Sequence, residues 1–273
     1  MTFRRNILIT GCASGIGRHL ATVFGENGHW VMATDVDDFG LAETADDMEW
    51  QLTGIHTDIL DVTNADGWRR VVEQIRSERG RLDLLVNVAG YLHPGYVFET
   101  PVDEIERQID VNLKGTMFGT RIVGEAMVEQ GSGHIVNFGS LASLAPVPGI
   151  GVYTGTKFGV RGFSLAAAQE LRERGVDLTL IMPDAVDTPM LDKEADFKEA
   201  AVTFSGSNVL TVEQIADVMF DRVLPDRPLE VTLPPSRGGL AKLTGLVPDL
   251  LRLIHPIFRK IGLRRQEQYK GSA

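Results

Sequence analysis

The chain holds one cysteine, Cys12, among 273 residues. A single thiol can form neither an intramolecular disulfide nor a cysteine-built metal site, so the expected compartment is reducing and cytoplasmic. Long apolar runs are also missing. The run around Ile7–Thr10 is too short for a signal peptide or a membrane span, and no export is expected. Basic charge is scarce, with 27 Lys and Arg against 37 Asp and Glu and a net charge of −10. Phosphate contacts need a basic surface, which argues against general nucleic-acid binding. His19, His29, His56, His93, His134 and His255 show no paired ligand spacing, and no metal is expected.

What is present is the balance of a globular protein: 43% hydrophobic, 23% charged, mean hydropathy −0.01. The length suits one large α/β domain or two small ones. Charge is unevenly placed. Residues 1–235 carry 19 basic and 35 acidic side chains, whereas 236–273 carry 8 and 2, a net of +6. The expected division is therefore a main domain over 1–235 and a basic helical extension over 236–273.

Apolar, β-rich runs at 6–10, 30–34, 54–58, 82–89, 134–140, 177–182 and 230–233 alternate with helix-period stretches. That alternation predicts a parallel sheet of about seven strands with helices on both faces, the doubly wound α/β class. Few strands alternate polar with apolar, as expected when both faces are buried. The charged, small-residue stretch 189–208 follows a strand end and is the candidate lid.

Thr10-Gly11-Cys12-Ala13-Ser14-Gly15-Ile16-Gly17 joins the first strand to a helix-period stretch. Glycines admit a pyrophosphate close to the backbone, and the helix N-terminus offers it free N–H groups, so Gly11, Ser14, Gly15, Ile16 and Gly17 are candidate cofactor ligands in a Rossmann-type fold. Asp35 ends the second strand 18 residues after Gly17. A carboxylate there accepts from a ribose 2′-OH and repels a 2′-phosphate, which favours NAD over NADP. Tyr153 and Lys157 share one helix face. An ammonium beside a phenol is expected to lower its pKa and make it a general acid/base near neutral pH. Ser140, at a strand's end, is placed to hold the substrate oxygen.

These motifs, with Asp61-Val62-Thr63, Asn87-Val88-Ala89-Gly90, Asn112, and Pro183 to Thr188, resemble the short-chain dehydrogenase/reductase family over roughly 6–233. The resemblance implies an oxidoreductase with catalytic Asn112, Ser140, Tyr153 and Lys157. Asp61 and Val62 would contact adenine. Asn87, Ala89 and Gly90 would line the cleft. In the Pro183 to Thr188 motif, Val186 and Thr188 would hold the nicotinamide carboxamide. Asn112 would bind a water beside Lys157, and Tyr153 and Lys157 would also touch the cofactor. Two positions depart from the pattern. Val88 stands where a second asparagine is common, and Asp184 where glycine is usual, a place where aspartate can tolerate a positive φ.

The implied pocket residues Tyr91, Leu141, Ala142, Leu144, Val147, Pro148, Ala185 and Met190 are mostly apolar, which suits a lipophilic or alicyclic secondary alcohol or its ketone. The extension has apolar residues at helical spacing, with Arg and Lys between them and breaks at Pro248 and Pro256. It is expected to form two or three short amphipathic helices that close the pocket, pack on a neighbouring subunit, or touch an anionic membrane surface. The family's habit implies a homo-oligomer, a dimer or tetramer. The competing reading is a catalytically silent dinucleotide sensor on the same fold.

Overall fold

The computed structural model describes residues 4–272. The elements are β1 (Asn6–Thr10), α1 (Gly15–Glu26), β2 (Trp30–Asp35), α2 (Asp38–Asp47), β3 (Ile55–Ile59), α3 (Ala65–Arg79), β4 (Leu84–Asn87), α4 (Val102–Gln108), α5 (Gly115–Glu129), β5 (Gly133–Phe138), α6 (Gly151–Arg172), β6 (Val176–Pro183), α7 (Pro189–Ala195), α8 (Val212–Val218), α9 (Leu224–Asp226), β7 (Glu230–Leu233), α10 (Pro235–Leu246) and α11 (Asp249–Ser272). Seven strands pair in the order β3-β2-β1-β4-β5-β6-β7, all parallel.

Successive strand residues bury on opposite faces. Ile7 and Ile9 pack with Leu20 and Phe24 of α1 and Ile215 of α8, while Leu8 packs with Trp68 and Val71 of α3 and Val123 of α5. Two-sided burial explains the apolar strands, each such side chain contributing about 1.5–3 kcal/mol. Helix α3 shows the local code. Asn64 Oδ1 accepts from the Asp66 and Gly67 amides, Trp68, Val71, Val72 and Ile75 form its buried stripe, and Gly80 ends it with φ +75°.

The chain steps outward from β1 to β3, then returns on the other side of β1 with β4. Adjacent connections diverge there, opening a crevice at the carboxyl ends of β1 and β4. Strand β4 is shorter than the expected 82–89 because the Val88 and Ala89 amides leave the ladder and donate to Thr10 Oγ1, each at 3.1 Å. Strand β5 stops at Phe138, and Ser140 instead caps a 3₁₀ turn over Leu141–Ser143. Between α4 and α5 the helix widens into a π-turn, Ile109–Lys114, around Asn112.

The stretch expected as a lid folds into α7 and a 3₁₀ run, Lys198–Ser205, burying Leu191, Ala195 and Phe204. Pro248 separates α10 from α11, but Pro256 lies inside α11. Pro256 and Arg252 are both exposed, so water can reach the carbonyl that loses its helical partner. No helix among the described residues is long and apolar enough to cross a membrane.

Candidate active site

A cavity of about 500 Å³ opens where β1, β4, β5 and β6 end. Gly11, Ser14, Gly15, Ile16 and Gly17 line one part of it. Its glycines leave no room for a side chain: Gly11 has φ +76°, and a Cβ on Gly17 would meet Gly11 O at 2.0 Å. Ser14 is the N-cap of α1, its side chain makes no capping bond, and the first turn carries no acid. The α1 amides thus face the cavity with their positive end uncompensated, a donor set that fits a diphosphate.

Asp35 closes the same part. Its Oδ2 accepts from the Ala13 amide at 2.9 Å and its Oδ1 from the Asp37 amide at 3.1 Å. The carboxylate braces the glycine turn while still lining the cavity. Asp61, Val62, Ala89, Gly90, Pro183, Val186 and Thr188 also line it. Asn87 does not: it is buried, and its Nδ2 donates to Asn137 Oδ1 at 2.9 Å within a polar cluster that includes Thr120 and Ser164.

Ser140, Tyr153 and Lys157 meet on one wall. The capping turn fixes Ser140, whose Oγ accepts from the Ala142 amide at 3.1 Å. Lys157 donates to Phe138 O at 2.8 Å, and its Nζ lies 5.5 Å from the Tyr153 ring centre. Burial lowers the Lys157 pKa to about 8. Burial, and then the negative charge of Glu194, push the Tyr153 phenol above its ordinary value, and only its hydrogen bond with Ser140 acts the other way. In the protein alone desolvation thus moves the Tyr153 pKa upward, opposite in direction to the lowering expected from Lys157.

Asn112 is fully buried and its side chain is committed. Oδ1 accepts from the Tyr91 amide at 2.7 Å, and Nδ2 donates to Tyr91 O at 2.7 Å and to Thr156 Oγ1 at 3.2 Å. Through these bonds the Asn112 side chain ties the loop after β4 to Thr156, the residue preceding Lys157.

Of the implied pocket residues, Tyr91, Leu141, Ala142, Val147, Ala185 and Met190 line the cavity. Leu144 instead joins a core cluster with Val160 and Leu180. Asp184 has no left-handed backbone; positive φ outside glycine occurs among the described residues only at Glu49 and Arg227. Its carboxylate pairs with Arg237 of α10 at 2.5 Å, so an acid at this position is answered by a cation from the extension.

Several cavity residues had no motif to announce them. Glu194 is buried, its pKa raised by that burial to about 7, and its Oε2 accepts from Thr203 Oγ1 at 2.8 Å. Arg107 stacks its guanidinium 4.0 Å from the Tyr91 ring centre. Leu251, Ile254 and Phe258 of α11 form part of the apolar roof. Among the described residues no cluster of three or more His, Cys, Asp or Glu is placed to hold a metal.

The strand order and the glycine turn at its switch point define a Rossmann-type domain. The short chain dehydrogenase family model matches residues 5–199, and the chain belongs to that family. The probable oxidoreductase EphD of Mycobacterium tuberculosis is 34% identical over 259 residues, covering 90% of this chain and 44% of that protein. The chain thus spans less than half the length of this mycobacterial relative. The 3-oxoacyl-[acyl-carrier-protein] reductase FabG of Thermotoga maritima is 33% identical over 186 residues, covering 68% of this chain and 76% of that one. In fold the chain is similar to a short chain dehydrogenase/reductase from Burkholderia phymatum solved with NAD, with a TM-score of 0.81 at 24% identity over 90% of this chain and 95% of that one.

Proposed function

We propose that the protein transfers a hydride between NAD and a lipophilic secondary alcohol or its ketone, with Tyr153 as the general acid/base. The observation that carries this reading is the convergence of Ser140, Tyr153 and Lys157 on the cavity whose other end is the glycine turn and Asp35. The binding of NAD by a protein of like fold and the reductase activity named for a relative agree with it.

The residues divide the work. The amides at the start of α1 would hold the diphosphate, and Asp35 would accept from the adenosine ribose hydroxyls while repelling a 2′-phosphate. Arg18, the cation nearest in sequence that could offset that repulsion, is exposed and is not among the cavity-lining residues. When bound, oxidised nicotinamide supplies the hydride acceptor and a positive charge. Ser140 Oγ would hold the substrate oxygen, and Tyr153 Oη would take its proton in oxidation and return one in reduction. Lys157, fixed by Phe138 O, presents a cation beside Tyr153 that opposes the desolvation of a phenolate. The apolar walls favour a lipophilic substrate carbon skeleton.

Titrations with NADH and NADPH, followed by nicotinamide fluorescence, test the cofactor assignment. NADH is expected to bind more tightly, and Asp35→Ala to narrow the gap by roughly tenfold, the loss of about one charged hydrogen bond. An unchanged NADH to NADPH ratio in that variant would remove Asp35 from the ribose site.

A further inference from the structure

The two sides of α11 differ in what they meet. Leu251, Ile254 and Phe258 line the cavity, and farther along the same side Gly262 lies so close to Ala201 that a Cβ would sit 1.9 Å from its carbonyl oxygen. Arg265 donates to Ser205 O, and buried Gln266 donates to the carbonyls of Glu194, Ala195 and Phe197. This side is fully engaged by the protein.

The opposite side carries Leu253, Ile257, Lys260 and Arg264, spaced to form one helical stripe, with Arg252 and Arg259 beside it. Leu253 is 73% exposed and Ile257 59%. The turn into α11 adds Leu246 at 81% and Val247 at 50%, and Leu243 of α10 is 50% exposed. The acids on this helix are Asp249 and Glu267, towards its two ends, and Asp249 pairs with Arg252 at 3.6 Å.

We propose that this outer face docks on an anionic phospholipid bilayer. Apolar side chains project from the end of α10 and from the outer face of α11, and guanidinium and ammonium groups stand among them. That mixture suits the boundary of acyl chains and headgroup phosphates. A subunit interface would bury its apolar centre and exclude lysine from it. The body carries a net charge of −16 over residues 1–235, whereas 236–273 carries +6. An anionic surface therefore attracts this end and repels the rest, which orients the molecule. Docking also sets the apolar roof of the cavity one helix thickness, about 10 Å, from the lipid. A route from bilayer to cavity for a lipophilic substrate follows from this, and that consequence alone rests on the proposed activity.

Vesicle co-sedimentation tests the docking without turnover. The wild-type protein is expected to pellet with phosphatidylcholine vesicles containing phosphatidylglycerol, to stay in solution with pure phosphatidylcholine, and to be released by high salt. Leu253→Glu with Ile257→Glu, and separately Arg259→Glu with Lys260→Glu, are each expected to weaken binding roughly tenfold or more. Both pairs lie on an exposed face, so thermal melting should be unchanged and confirms folding. Failure of the wild-type protein to pellet with anionic vesicles overturns the proposal, as does undiminished binding by either folded variant. A fall in solution mass for Leu253→Glu with Ile257→Glu, in a protein that ignores vesicles, would assign the face to a second copy of the chain.

Discussion

Lys157 is buried and Tyr153 partly so, and desolvation penalises the charged form of each, so in the protein alone the pair favours a neutral phenol beside a weakly basic amine. Glu194 adds a third desolvated group. Its pKa of about 7 exceeds the ordinary 4.5, so the folded state keeps a proton that the unfolded chain releases between those values. Its contribution to stability is therefore lost as pH rises through that window. Glu194→Gln is expected to stabilise the fold by about 2 kcal/mol at pH 8 and by almost nothing near pH 4. Urea unfolding at the two pH values checks this, and equal effects at both would contradict the buried-acid assignment. The sequence announced Ser140, Tyr153 and Lys157 because a helical spacing and a strand end bring them together through local geometry. Glu194 and Arg237 stayed hidden, because their place in the cavity depends on how α7 and α10 pack, and no short spacing encodes that.

At the scale of elements, the strands were legible because two-sided burial demands apolar runs, and the misjudged ends have local causes. Thr10 Oγ1 draws the Val88 and Ala89 amides out of β4, and the Ser140 cap ends β5 early. The π-turn at Asn112 was invisible as a shape, although an asparagine within a helical stretch was its trace. Pro256 misled because an exposed helix face tolerates what a packed one would not. Helix α11 lies across the cavity as a strap, tied down by Arg265 and by Gln266, which donates to three carbonyls. Removing the Gln266 amide takes a donor from three carbonyls; those of Glu194 and Phe197 keep the backbone amides of Phe197 and Ala200, so the loss falls mainly on Ala195 O, at a cost of about 1–3 kcal/mol. Gln266→Leu is expected to speed amide hydrogen exchange over 189–205 more than in the strands. Unchanged exchange in that segment would show that the strap does not hold it.

For the whole molecule, the sheet order creates the crevice, and everything placed around it follows the strand ends. The glycine turn and Asp35 occupy the side of β1 and β2, and the Ser140, Tyr153 and Lys157 wall stands on the side of β5 and α6. The residues of the basic stretch 236–273 fold into α10 and α11. What composition could not convey is that these helices also line the cavity, since lining a cavity and facing outward are properties of opposite sides of one helix. In the proposed reaction a single cavity aligns a nicotinamide and a substrate oxygen against Tyr153. The direct measurement is ketone-dependent oxidation of NADH by the wild-type protein and by Tyr153→Phe, side by side across lipophilic ketones. Turnover is expected from the wild-type protein and a fall of roughly 10²–10⁴-fold in the variant, with NADH binding retained. Equal turnover by the two proteins, or NADH binding with no turnover of any ketone or of the matching alcohols with NAD, would contradict the proposed reaction.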